Sequence, residues 1–220
     1  AIWNAEVLEA ENAVKFTYRS PDGENGFPGN LDMSVTYTLQ EDNAIRIDYD
    51  GVSDKKTVIN VTNHSYFNLA GHDSGSIHDE RVMIKADGFT EILPGAIPTG
   101  RTLPVEGTPM DLRLLKRVGD EIDADFEQLT LVGGYDHNWV LDNHGDLEQI
   151  AQVEDDRSGI TMEVYTDLPG VQFYAGNFIT PQTGKGGVAY DKRHALCLET
   201  QYFPDAVHHP EFPQPVFEAG

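Results

Sequence analysis

The 220 residues carry 37 Asp plus Glu against 15 Lys plus Arg, a formal net charge of -22, together with 21 glycines and 12 prolines. So acidic a chain repels phosphate backbones and anionic headgroups, which sets aside nucleic acid and membrane surfaces as partners. The length suffices for one sizeable core, and short apolar runs punctuated by Gly and Pro favour an all-β fold in a single domain, residues 1–220, over a helical one.

No stretch of about 18 apolar residues occurs, and AIWNAEVLEA at the start has no basic region ahead of an apolar core, so neither a membrane span nor a signal peptide is expected. Cys197 is the only cysteine. It rules out an internal disulfide and fits a reducing, cytoplasmic compartment.

In chain order, AVKFTYRS (13–20), MSVTYTLQ (33–40) and AIRIDYDGV (44–52) alternate apolar with polar residues and are separated by the turn-rich spacers PDGENGFPGN and EDN. An antiparallel meander is predicted. TVINVTNHSYFNLAG (57–71) reads as one longer strand, HDSGSIHDE as a polar loop, and RVMIKADGFTEI (81–92) as further strand. The Pro- and Gly-dense residues 93–113 are expected to form an ordered, irregular crossing. Residues 111–129 hold the best helix candidate, with Leu112, Leu115, Val118 and Ile122 near helical spacing and Gly119 interrupting. QIAQVEDD and GITMEVYTDL then form a hairpin, followed by strands in VQFYAGNFI and HALCLETQYF, and a tail whose four prolines predict no regular structure.

In NVTNHSYFNL (60–69) a two-residue period places Asn60, Thr62, His64, Tyr66 and Asn68 on one polar face. Such a face is either wet or an array of hydrogen-bonding groups suited to a polyhydroxylated ligand. Glu199 projects from LCLETQ beside Cys197 and Gln201, opposite Leu196, Leu198 and Thr200. A carboxylate there is costly unless used as a base or paired with Arg193 or Lys192. Asp136 after Gly133-Gly134 could equally cap a turn, Gln172 could sit on an open sheet face, and Asp205 reads as a loop organiser. The spacings of His72, His78, His208 and His209 give no helical zinc pair, and no GxxxxGK[ST] or GxSxG motif occurs.

NHSYFNL at 63–69, IPTG at 97–100, GYDHN at 134–138, PGVQFYAGN at 169–177 and CLETQYFPDA at 197–206 together resemble the aldose 1-epimerase (galactose mutarotase) family, in that family's order. The resemblance implies a large antiparallel β-sandwich whose concave face binds a monosaccharide. It also implies His64 as general acid, Glu199 as general base, and Asp136, Gln172, Tyr66 and Asn177 as substrate-binding residues. No metal or organic cofactor is required, and a monomer or homodimer is expected. The chemistry suits the residue types: imidazole, with a reference pKa near 6.5, is available in either protonation state near neutrality, whereas a glutamate is normally ionised.

Family members also carry an upstream Asn-Arg pair and a His-Gly-Gly histidine. No such segments precede Ala1, so the chain reads as a truncated sandwich lacking the N-terminal part and the last strand, about a third of the usual length. Two further readings stay open: a carbohydrate-binding domain without turnover, with Tyr66, Trp139 and Tyr174 as aromatic surface, and a purely structural domain.

Overall fold

The computed structural model describes residues 1–220, which form two compact units: 1–61 with 215–220, and 62–214. In the first, β1 (Asn4–Leu8), β2 (Ala13–Ser20), β3 (Leu31–Leu39) and β4 (Ile45–Ser53) make the antiparallel meander that the alternation predicts. Its register runs unbroken along β3 and β4, from Leu31 opposite Ser53 to Leu39 opposite Ile45. Asn12 and Asn43 turn the chain in the left-handed region, where asparagine is more readily tolerated than most side chains. A two-residue strand, β5 (Thr57–Val58), pairs with Val216–Phe217. The proline-rich tail therefore regains a short piece of ladder once past Pro215, contrary to expectation.

The second unit is a sandwich of two antiparallel sheets. Its strands are β6 (Arg81–Ile84), β7 (Gly88–Leu93), β8 (Ile97–Pro104), β9 (Lys116–Arg117), β10 (Asp136–Val140), β11 (Glu148–Glu154), β12 (Thr161–Thr166), β13 (Gly170–Tyr174), β14 (Gln182–Thr183), β15 (Ala189–Tyr190) and β16 (Cys197–Gln201). One sheet has the order β16-β13-β10-β7-β8, the other β12-β11-β6-β9, and β14 pairs with β15 alone. Phe89, Trp139, Val171, Phe173 and Leu198 from the first sheet and Val82, Ile84, Ala151 and Val153 from the second enter one core. Strand alternation then sends the intervening residues of β10, β13 and β16 to the outer face.

Three further segments depart from the sequence expectation. Residues 59–71 are not a strand: only Phe67 bridges, to Leu196. Side chains take the ladder's place. Asn63 Oδ1 accepts from Ser65 N, Asn68 Oδ1 from Ala70 N, and Glu80 Oε1 from Leu69 N, while Asn68 Nδ2 donates to Gly75 O and His194 O.

Residues 97–104, expected to be irregular, form β8, with Gly95 and Ala96 turning the chain at positive φ. As the outermost strand, β8 accommodates Pro98 and Pro104.

The expected helix over 111–129 is broken into β9, α1 (Val118–Glu121) and α2 (Glu127–Val132). Gly119 packs its backbone on His78, where a Cβ would lie 2.9 Å from the His78 Cβ. Leu112, Val118 and Ile122 still reach the core, but Leu115 does not.

Candidate active site

Cross-strand register builds the floor of the site. Asn138 lies opposite Gln172 and Gln172 opposite Glu199; Asp136 lies opposite Tyr174 and Tyr174 opposite Cys197. All six side chains therefore rise on the outer face of the five-stranded sheet, in two rows across β10, β13 and β16. Gly170 allows the next row to close: a Cβ there would lie 2.4 Å from Asn138 Oδ1 and 2.9 Å from the Phe203 ring.

The irregular segment before β6 supplies the wall. His64 and Tyr66 project together, their rings 5.1 Å apart, and both face Tyr174, at 6.2 and 6.3 Å. His64 Nε2 lies 3.4 Å from Glu199 Oε1. The imidazole is half exposed, 49% by side chain, whereas the carboxylate is 11% exposed, so water reaches the first and barely the second.

His64, Tyr66, Asp136, Gln172 and Glu199 line one open cavity of about 320 Å³, with a volume ordinary for a small-molecule site. Tyr174, Phe178, Gln201 and Pro204 complete it. Gln201 was legible as sharing Glu199's strand face, and Tyr174 follows Gln172 by two residues. Phe178 and Pro204 lie between strands and gave no periodic signal.

Gln172 Nε2 donates to Asp136 Oδ1 at 2.8 Å, and Gln201 Nε2 approaches both Gln172 Oε1 and Asn138 Oδ1 at 3.4 Å. Burial raises the Glu199 pKa, partly offset by His64 and reinforced by Asp136. Burial likewise raises Asp136, against the Gln172 hydrogen bond and the His64 charge. In each case a specific neighbour opposes the rise without cancelling it, the imidazole for Glu199 and the amide for Asp136. Burial, with Glu199 and Asp136 adding, pushes the Cys197 thiol up to about 12. His64, Cys197 and Glu199 are the groups that could hold a metal, with one donor atom of each within 4.8 Å of the others.

Two residues predicted at the ligand lie elsewhere. Asn177 is buried outside the cavity lining, its Nδ2 donating to Tyr135 O where it supports the Gly134 turn. Trp139, offered as sugar-stacking surface, is wholly buried in the core and donates its indole N–H to Met110 O. Its place in the β10 alternation, odd with Tyr135 and His137, sends it inward. Arg193 does not neutralise Glu199: it forms a two-pronged pair with Asp123. Asp205 organises its loop as expected, in the left-handed region with His208 Nδ1 at 2.5 Å. No helix is long and apolar enough to cross a membrane.

The aldose 1-epimerase family profile matches residues 1–220. Galactose mutarotase of Mus musculus is 43% identical over 220 residues, covering all of this chain and 62% of that protein, and the aldose 1-epimerase of Escherichia coli K12 is 39% identical over 210 residues, covering 95% and 60%. Among solved structures, a GalM/aldose epimerase homologue from C. elegans superposes with a TM-score of 0.86 at 26% identity, covering 99% of this chain and 64% of that one. Galactose 1-epimerase from Lactobacillus acidophilus gives 0.81 at 28%, with the same coverage. The chain thus spans about three fifths of the length of the relatives it matches, and with the whole of its sequence inside the profile it belongs to the aldose 1-epimerase family.

Proposed function

We propose that the cavity exchanges the α and β anomers of an aldohexose such as galactose or glucose, with Glu199 as general base and His64 as general acid. The observation that carries this reading is the meeting of His64 Nε2 and Glu199 Oε1 in one cavity that Asp136 and Gln172 also line. Asp136 and Gln172 offer an acceptor and an amide to sugar hydroxyls, and Tyr66, half exposed beside His64, offers a ring face to the pyranose.

Glu199 takes the proton of the anomeric hydroxyl while imidazolium His64 gives one to the ring oxygen, and the C1–O5 bond breaks to leave the open aldehyde. Rotation about C1–C2 presents the other carbonyl face. On closure His64 recovers its proton from the C5 hydroxyl as that oxygen attacks C1, and Glu199 returns its proton to the carbonyl oxygen. Protons balance over the cycle. The poorly hydrated Glu199 carboxylate favours its role as base, since burial has already removed much of the water that would compete for its lone pairs. Cys197, the single cysteine, supports a cytoplasmic location.

Optical rotation of freshly dissolved α-galactose tests the assignment. The natural full-length protein is expected to speed equilibration well above buffer, and Glu199→Gln and His64→Gln are each expected to lower kcat by about 10²–10⁴-fold with the far-UV circular dichroism unchanged. Normal turnover in either variant removes that residue's role.

A further inference from the structure

The site holds a combination that sugar chemistry does not call for. Cys197 and Glu199 stand two residues apart on the same face of β16, and His64 reaches down to them from the facing wall. One nitrogen, one sulfur and one carboxylate oxygen lie within 4.8 Å of one another. A tetrahedral zinc-type ion, bonded at about 2.0–2.3 Å, holds its ligand atoms about 3.3–3.7 Å apart. The His64 Nε2 to Glu199 Oε1 distance of 3.4 Å already matches such an edge. The Cys197 Sγ lies within 4.8 Å of both donors, so an ion between them has to draw the sulfur inward.

Charge points the same way. The cavity lining includes two carboxylates, Asp136 and Glu199, and no lysine or arginine. A neutral hexose gains little from that negative field, whereas a divalent cation is drawn to it. The donor set of thiolate, imidazole and carboxylate selects a thiophilic ion over Mg²⁺ or Ca²⁺, which take all-oxygen cages.

We propose that His64, Cys197 and Glu199 form a three-ligand site for Zn²⁺ or Cd²⁺, with the fourth position open to the cavity, and that the bound ion excludes the sugar. On binding, the thiol proton passes to solvent, a sulfur–metal bond forms, and coordinated waters leave the ion. The thiolate and carboxylate together neutralise its charge. The His64 Nε2 lone pair and the Glu199 oxygen become metal bonds and are withdrawn from proton transfer. The metal site stands independently of the mutarotase reading; its blocking effect rests on that reading.

Cd²⁺ titration of the full-length protein, in buffer stripped of metals and containing excess Mg²⁺, tests both parts. A near-ultraviolet sulfur-to-cadmium charge-transfer band should saturate at one equivalent and be displaced by Zn²⁺. Cys197→Ser should abolish the band. His64→Gln, at an exposed side chain outside the ladders, should weaken Cd²⁺ affinity by at least about 10–100-fold, the loss typical of removing even an outer partner of a metal ligand. A missing band, or one that His64→Gln leaves at full affinity, overturns the site. In parallel, galactose-induced amide shifts at Tyr66 and Gln172 should vanish when Zn²⁺ is present. Shifts that persist in saturating Zn²⁺ overturn the blocking effect. No galactose shift with or without metal would sink the sugar reading and leave the metal site to be judged by the band.

Discussion

The meander of β2 to β4 and the segment from Thr62 to Glu80 are both polar for their lengths, yet they satisfy their backbones by different means. In the meander, amides and carbonyls pair with one another through eight- and nine-residue ladders, from Ala13 opposite Thr38 and from Leu31 opposite Ser53. In the second region side chains share the task with turn carbonyls: Asn63, Asn68 and Glu80 take backbone donors at Ser65, Ala70 and Leu69, while Gly71, Ser74 and Glu80 donate within turns. A ladder fixes every residue to one of two faces. Side-chain anchoring releases the chain from that constraint, so His64 and Tyr66 can be delivered to a cavity while Phe67 and Leu69 pack on the core.

The largest expected effect on stability comes from removing an anchor. Asn68 makes four hydrogen bonds, to Gly75 O, His194 O, Ala70 N and Ser74 Oγ. Asn68→Ala should destabilise by about 3–4 kcal/mol at roughly 1 kcal/mol per bond, read from urea unfolding, and should lower the proposed mutarotation of the full-length protein by loosening His64. A loss below about 1 kcal/mol would show that the segment is held by packing, not by its side-chain bonds.

Glu80 offers a sharper, pH-dependent test. It is fully buried, and burial lifts its pKa to about 7, with the Leu69 N–H opposing. The folded state therefore keeps a proton that the unfolded chain loses near its ordinary glutamate value. The stabilising contribution is complete below about pH 4.5 and fades as pH rises through about 7, by at most about 3 kcal/mol. Relative to the native protein, Glu80→Gln should gain stability between pH 5 and 8 and nothing at pH 4. A difference that stays flat with pH would mean that Glu80 titrates in the folded state as it does in the unfolded chain.

The smallest effect belongs to the meander. Ile45 on β4 is 65% exposed, and Ile45→Ala should change stability by no more than about 0.5 kcal/mol. A larger loss would show that this sheet face is covered in the intact protein.

The same contrast explains what was legible beforehand. Alternation located β2, β3 and β4, the hairpin of β11 and β12, and the outward face of β16 that carries Glu199, because each is a ladder in which period 2 survives. It misread residues 59–71 because asparagine and serine alternate there without pairing across strands. It missed β8 because Pro98 and Pro104 argue against a central strand, and only the sheet order reveals an edge. Trp139 and Asn177 shared motifs with true cavity residues, but motif membership does not say which way a side chain points. His64, Glu199, Asp136 and Gln172 do meet, since three of them ride on adjacent strands in register.

The outermost position of β8 has a bearing on how the protein behaves in a crowd. Val105 turns its N–H inward to Asp87 O, so the nitrogen of residue 104 looks away from the sheet, and as a proline it has no hydrogen to offer. An extended peptide approaching from that side meets a missing rung, and Pro98 withholds a second donor farther along the strand. The sheet that carries the cavity is thereby shielded, along this border, from growing into a fibril by recruiting its own kind.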